Sequence, residues 1–177
     1  MKYIPSIFLF LLSLQSGAQT KQELTSLIQE ISEDVDSSQL IIDHKNASEI
    51  INSGITTIPR LIELFSDDTM TAIYSDCQQK YLSKGEIAII LTDRIHWMPY
   101  YTLTGIQNCL LTFCPANLNL IEFYLNAVKR QPIAEFQQKC KEWYMKVLMD
   151  DYVKYKLKPR LHSRSFWRKT RKNLSQL

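Results

Sequence analysis

Glycine is the scarcest turn-former in this chain: four residues in 177, at positions 17, 54, 85 and 105. A sandwich or barrel of many short strands needs glycine at its tight turns, where the backbone visits positive φ. A chain this poor in glycine is directed instead towards helices joined by polar loops. Apolar residues make up 45% of it, which separates it from a disordered polymer.

The first residues read as an address. Lys2 precedes an almost wholly apolar run over residues 4–14, and Ser16-Gly17-Ala18 puts small residues at the −3 and −1 positions of a cut before Gln19. That order of charge, apolar run and small residues is the pattern of a secretory signal peptide. The run is shorter than the roughly twenty residues a membrane-spanning helix needs. No cysteine follows the cleavage region to carry a lipid, and no later stretch approaches eighteen uninterrupted apolar residues, so no transmembrane segment is expected. The expected organisation is a signal peptide at 1–18 cleaved near Ala18, one all-α domain at 19–158 and a basic tail at 159–177, in a protein that is secreted or periplasmic. The 159 residues left after cleavage suit one domain, able to bury about 68–70% of its unfolded surface.

Helical spacing recurs along the body. Leu24, Leu27, Ile28, Ile31 and Val35 form one stripe at three- and four-residue steps. A second piece runs through residues 47–51, with Gly54 placed to end it in the left-handed conformation. The third opens at Ile58, with Thr57 as its cap and Pro59 in the first turn, where a missing N–H is harmless. Residues 67–83 are polar; a short helix over 70–80 is expected there in preference to a long loop. Ser83 and Glu86 have capping-box spacing before residues 87–91, a helix apolar on several faces that should run to about Met98 and stop before Pro99. Residues 100–112 form another apolar segment. Asn119 and Glu122 repeat the cap spacing. Pro132 opens a last helix whose inward stripe is Phe136, Cys140, Trp143, Tyr144, Val147 and Leu148. The fold class is therefore all-α, a compact bundle of about six to seven helices.

Gly54 followed by Ile58-Pro59-Arg60-Leu61-Ile62-Glu63-Leu64-Phe65-Ser66-Asp67 resembles the first helix of a HEAT-type repeat, and Gly85-Glu86-Ile87-Ala88-Ile89-Ile90-Leu91 the second. Some eighteen residues separate the two, where HEAT units have a short turn. As a whole the chain also resembles small secreted all-helical proteins of bacteria. The resemblance implies helical-hairpin packing and a scaffold that binds other proteins through a helical face. It supplies no catalytic residues.

Cys77, Cys109, Cys114 and Cys140 are an even number, and outside the cytoplasm thiols tend to pair. Cys109 and Cys114 on one straight helix would lie about 7.5 Å apart along the axis and face different ways. If Pro115 ends that helix early they can pair, which leaves Cys77 for Cys140. Buried free thiols are the alternative. No C-x-x-C occurs to suggest a redox centre or a zinc knuckle.

The densest cluster of chemically versatile side chains is Asp93, Arg94, His96, Trp97, Tyr100 and Tyr101. Asp93 and His96 are three apart, neighbours on a helix, and a carboxylate beside an imidazole can make a general base. No motif places a nucleophile near them. The ordinary alternative has His96 capping helix carbonyls and the three aromatics filling the core. If Trp97, Tyr100 and Tyr101 instead line an exposed groove, with Gln107 and Asn108 nearby, they mark a binding surface. His44, His96 and His162 lack metal-ligand spacing, and no phosphate loop or dinucleotide fingerprint is present; neither a cofactor nor a metal is expected.

Charge divides the chain. Residues 154–177 hold nine basic residues and no acid; the whole carries +3, so residues 1–153 sum to −6. Arg164, Trp167, Arg168, Lys169, Arg171 and Lys172, with Phe166, interleave cations and aromatics in a way that suits an anionic lipid surface. An exported protein meets little nucleic acid. The tail can also fold back on the acidic body. The leading expectation is an exported, non-enzymatic helical domain that binds another protein in the cell envelope or outside the cell. The alternatives are an envelope hydrolase using Asp93 and His96, and a protein that meets anionic lipid through its tail.

Overall fold

A computed structural model describes residues 19–106, 114 and 120–152. Its first helix, α1 (Lys21–Asp34), opens on a reciprocal cap: Thr20 Oγ1 accepts the Glu23 N–H at 3.2 Å, and Glu23 Oε2 accepts the Thr20 N–H at 3.3 Å. Leu24, Ile28 and Ile31 face inward from it, fully buried. A 3-10 turn over Ser38–Asp43 leads to α2 (Lys45–Asn52). An imidazole caps that helix: His44 Nδ1 accepts the Asn46 N–H, while Nε2 lies 3.1 Å from Asp34. Gly54 follows at φ 73, ψ −163: its φ is positive, but it is extended and not in the left-handed helical conformation expected of it.

The helix α3 (Ile58–Leu64) carries Pro59 in its first turn, as the sequence leads one to expect. Thr57 does not cap it. A 3-10 turn over Ile55–Thr57 runs straight into the helix, Thr57 has helical dihedrals (φ −83, ψ −23), and its buried hydroxyl makes no cap bond. An N-cap needs an extended residue, and the preceding turn removes it.

The short helix expected at 70–80 is instead a β-hairpin. Strands β1 (Met70–Ser75) and β2 (Lys80–Ser83) pair antiparallel, with Met70 opposite Ser83, Tyr74 opposite Tyr81 and Ser75 opposite Lys80, and an irregularity between the first two pairs. Ile73 and Leu82 are fully buried, Tyr74 meets Tyr81 edge-on at 5.4 Å, and Gln79 makes the tight turn at φ 52. The Tyr74 N–H donates to the Asp36 carbonyl, so the hairpin is sewn to the segment after α1. Cross-strand and long-range partners of this kind leave no helical stripe in the sequence.

Between the hairpin and the rest runs α4 (Lys84–Ile95), with residues 85–92 all buried. It stops three residues short of the expected Met98, because His96 is extended at φ −152, ψ 123. The next helix, α5 (Tyr100–Thr104), is also shorter than the apolar segment to 112: Gly105 turns left-handed at φ 70, ψ 7 and ends it, and residues 107–113 lie outside the described residues. Then come α6 (Leu120–Lys129) and α7 (Ile133–Tyr152). Of the stripe expected on α7, Phe136, Cys140 and Trp143 are buried and Tyr144, Val147 and Leu148 are half-buried. Phe136 packs on Phe65 with ring centres 5.8 Å apart, and Gln137 Nε2 donates to the Ile62 carbonyl at 2.7 Å.

Among the described residues the architecture is mostly helical with one two-stranded sheet. The helices α3 and α4 pack on one another, with the hairpin filling the connection where a short turn would stand in a HEAT unit. None of the helices among the described residues is long and apolar enough to cross a membrane.

Candidate functional site

The two ends of α4 hold the chemistry. At its N-terminus the capping box forms as its spacing implies: Ser83 Oγ accepts the Glu86 N–H at 3.3 Å, and Glu86 Oε2 accepts the Ser83 N–H at 2.9 Å. The other carboxylate oxygen is ion-paired to Lys80 from β2 and to Lys129 from the end of α6, the latter at 3.3 Å. Glu86 is buried and both lysines are partly exposed. Burial, with the neighbouring Lys129 ammonium, lowers the Lys80 pKa, against the pull of Glu86. One carboxylate thus ties together hairpin, central helix and α6.

Two members of that cluster, Glu86 and Lys129, line a cleft of about 410 Å³. Its apolar wall comes from Phe65, Met70, Ile89, Leu125, Val128 and Ile133; Asp67 and Asp68 stand at its edge. Gly85 makes this geometry possible. A Cβ there would lie 2.5 Å from the Phe65 carbonyl oxygen and 2.9 Å from that of Asp67, so only glycine lets the start of α4 close on the end of α3. The cleft can take an apolar group and meet a cation beside it.

At the C-terminal end, Asp93 and His96 do not form a dyad. Asp93 Oδ1 accepts the Met98 N–H at 2.9 Å, and both its oxygens lie 2.9 Å from the Tyr100 hydroxyl, which donates to them. His96 Nδ1 lies 3.3 Å from the Trp97 carbonyl, and its ring meets Trp143 edge-on at 5.7 Å. The three-residue spacing would pair them only inside a helix, and α4 ends at Ile95. Burial raises the Asp93 pKa, with the Met98 N–H and the Tyr100 hydroxyl opposing; burial and the Asp93 charge push the Tyr100 hydroxyl well up. Tyr100 is 6% exposed and stacks on Tyr124 at 4.7 Å, while Trp97 and Tyr101 are 68% and 62% exposed. Of the three aromatics expected to act together, one is core and two are surface.

The cysteine pairing also differs from expectation. Cys77 in the hairpin turn is bonded to Cys114, with Cα atoms 5.1 Å apart, and Cys140 is a buried free thiol. Cys140 points into the core from α7, and its burial pushes the thiol up to about 12. With Cys114 taken by Cys77, the pairs Cys109–Cys114 and Cys77–Cys140 are both excluded; Cys109 itself lies outside the described residues. Closing a loop across the 37-residue separation contributes about 3–4 kcal/mol by restricting the unfolded chain. Beside the disulfide, buried Ser75 donates to buried Glu122, and Gln78 Nε2 donates to the Glu122 carbonyl at 2.6 Å, fixing the hairpin to α6. Glu122 lies in the first turn of α6, as its spacing implies, and also serves as a tertiary tie; Asn119 lies outside the described residues.

Gln107 and Asn108, and Arg164, Trp167, Arg168, Lys169, Arg171 and Lys172, also lie outside the described residues. Among the described residues no group of three or more His, Cys, Asp or Glu side chains is placed to hold a metal ion. The importance of Lys80, Lys129, Gly85 and the Asp67–Asp68 edge was missed in the sequence. Glu86 was visible as a cap, but nothing local signals that two lysines from distant elements would reach it.

Fold and site together define a mostly helical domain, braced by a disulfide-tied hairpin, with an apolar cleft at one end of its central helix and two exposed aromatics at the other. No protein-family model, curated protein or solved structure matches the chain.

Proposed function

We propose that this protein is an exported, non-enzymatic helical module that binds another protein in the cell envelope or outside the cell, with Trp97 and Tyr101 in the contact surface. The observation that carries this reading is the pair of exposed aromatics on a rigid base. Two large rings stand in solvent beside Tyr100, which is locked by Asp93 and stacked on Tyr124. Aromatic side chains held this way supply contact area at low entropic cost, which is why Trp and Tyr dominate interface hot spots. The leader at 1–18 and the Cys77–Cys114 bond support export, since disulfides persist in oxidising compartments. The hydrogen bonds of Asp93 to Met98 and Tyr100 leave it unpaired with His96, which weighs against hydrolysis by those two groups. The helical pair α3–α4 supports the HEAT-like scaffold reading.

The test is differential capture from the native envelope with the wild-type protein and with Trp97→Ala/Tyr101→Ala. A partner retained by the wild type and lost by the folded double variant supports the proposal. Equal retention by both overturns the role of this surface.

A further inference from the structure

We infer that the cleft between α3, the hairpin and α6 is the docking site of this chain's own basic tail, with Phe166 and Trp167 entering it and the flanking Arg164 and Arg168 meeting Asp67 and Asp68. Three observations lead there. The cleft is apolar along its wall but is also lined by the carboxylates of Asp67 and Asp68, whereas its one lysine, Lys129, is already paired to Glu86. It therefore favours an apolar group flanked by cations over an anion. The tail has that composition: in Arg-Ser-Phe-Trp-Arg, residues 164–168, two aromatics stand between two arginines. Residues 154–177 carry +9 and residues 19–153 sum to −7, so the two attract one another at low salt.

Reach allows it. Ile133, the first residue of α7, lines the cleft, and the 20 residues of that helix carry the chain about 30 Å away from it. Residues 153–166 can span up to about 46 Å when extended, enough to bring Phe166 back. Docking would cover Met70, which is 59% exposed at the cleft.

Zero-length carbodiimide coupling on the purified full chain, read by mass spectrometry of the digested monomer, tests this. The expected result is coupling of Asp67 or Asp68 to Lys169 or Lys172 at low salt, at least fivefold weaker in Phe166→Ala/Trp167→Ala. Phe166→Leu/Trp167→Leu should restore part of the coupling. The inference is overturned if the tail lysines couple as densely to the exposed acids Glu33, Asp34 and Asp36, if coupling is unchanged in the alanine variant, or if no tail coupling to Asp67 or Asp68 is found. Trp97 and Tyr101 take no part in this test, so its failure leaves the proposed function standing, and the reverse holds too.

Discussion

The two ends of α4 each place a carboxylate at the helix boundary, and they put it to different use. Glu86 stays within its capping box and gathers Lys80 and Lys129 from two other elements, closing the N-terminal end into the molecule. Asp93 looks forward along the chain, holding Met98 and Tyr100 so that the backbone can leave the helix and turn into α5. The first arrangement builds an inward cleft; the second presents Trp97 and Tyr101 to solvent. A carboxylate at a helix end thus says that a boundary is near, while its long-range partners decide whether that boundary becomes a clamp or a platform.

Substitutions can break this contrast, beginning with the largest effect. Gly85→Ala drives a methyl group into the backbone carbonyls of Phe65 and Asp67, and should cost about 3 kcal/mol in urea unfolding as α3 and α4 are forced apart. Glu86→Gln keeps an oxygen for the Ser83 N–H but leaves two ammonium groups facing each other. With both lysines partly exposed and screened, a loss of about 2 kcal/mol is expected, shrinking when Lys129→Met removes the repulsion. Equal losses with and without Lys129 would mean that the clamp is a cap and nothing more.

At the other end the effect depends on pH. The folded Asp93 pKa is raised, so the native state holds this proton more tightly than the unfolded chain. The resulting stabilisation is present below the ordinary carboxylate range and is lost as pH rises through the folded value. Asp93→Asn should therefore flatten that part of the stability–pH curve and cost less than Glu86→Gln at neutral pH; an unchanged curve would sink the assignment. Trp97→Ala and Tyr101→Ala should each stay within about 0.5 kcal/mol of wild type in thermal unfolding, because neither ring lies in the core.

Legibility followed the range of the interactions. The capping box at Ser83 and Glu86, Pro59 in the first turn of α3, the α1 stripe and the inward face of α7 were all readable, because each is a pattern repeated within four residues of chain, whatever it later packs against. The hairpin was not, since the seven residues from Tyr74 to Tyr81 fit a helical stripe as well as a strand pair, and nothing local records that Tyr74 meets Asp36. Nor was the fate of Asp93 and His96: their separation implies contact only while the helix continues, and it ends between them. The cysteine pairs failed for the same reason, because four thiols permit three connectivities and only spatial approach selects one.

What the sequence determined by itself was a mostly helical chain with few turn glycines, the local caps that start α3's neighbour α4, an apolar stripe for the core, and a charge split between acidic body and basic end. The tertiary structure alone decided that residues 70–83 pair as strands, that Cys77 meets Cys114, and that Glu86 gathers two lysines beside a cleft. Local hydrogen bonds and periodic burial are set by neighbours along the chain, whereas pairing, bridging and cavity shape depend on which distant segments burial brings together.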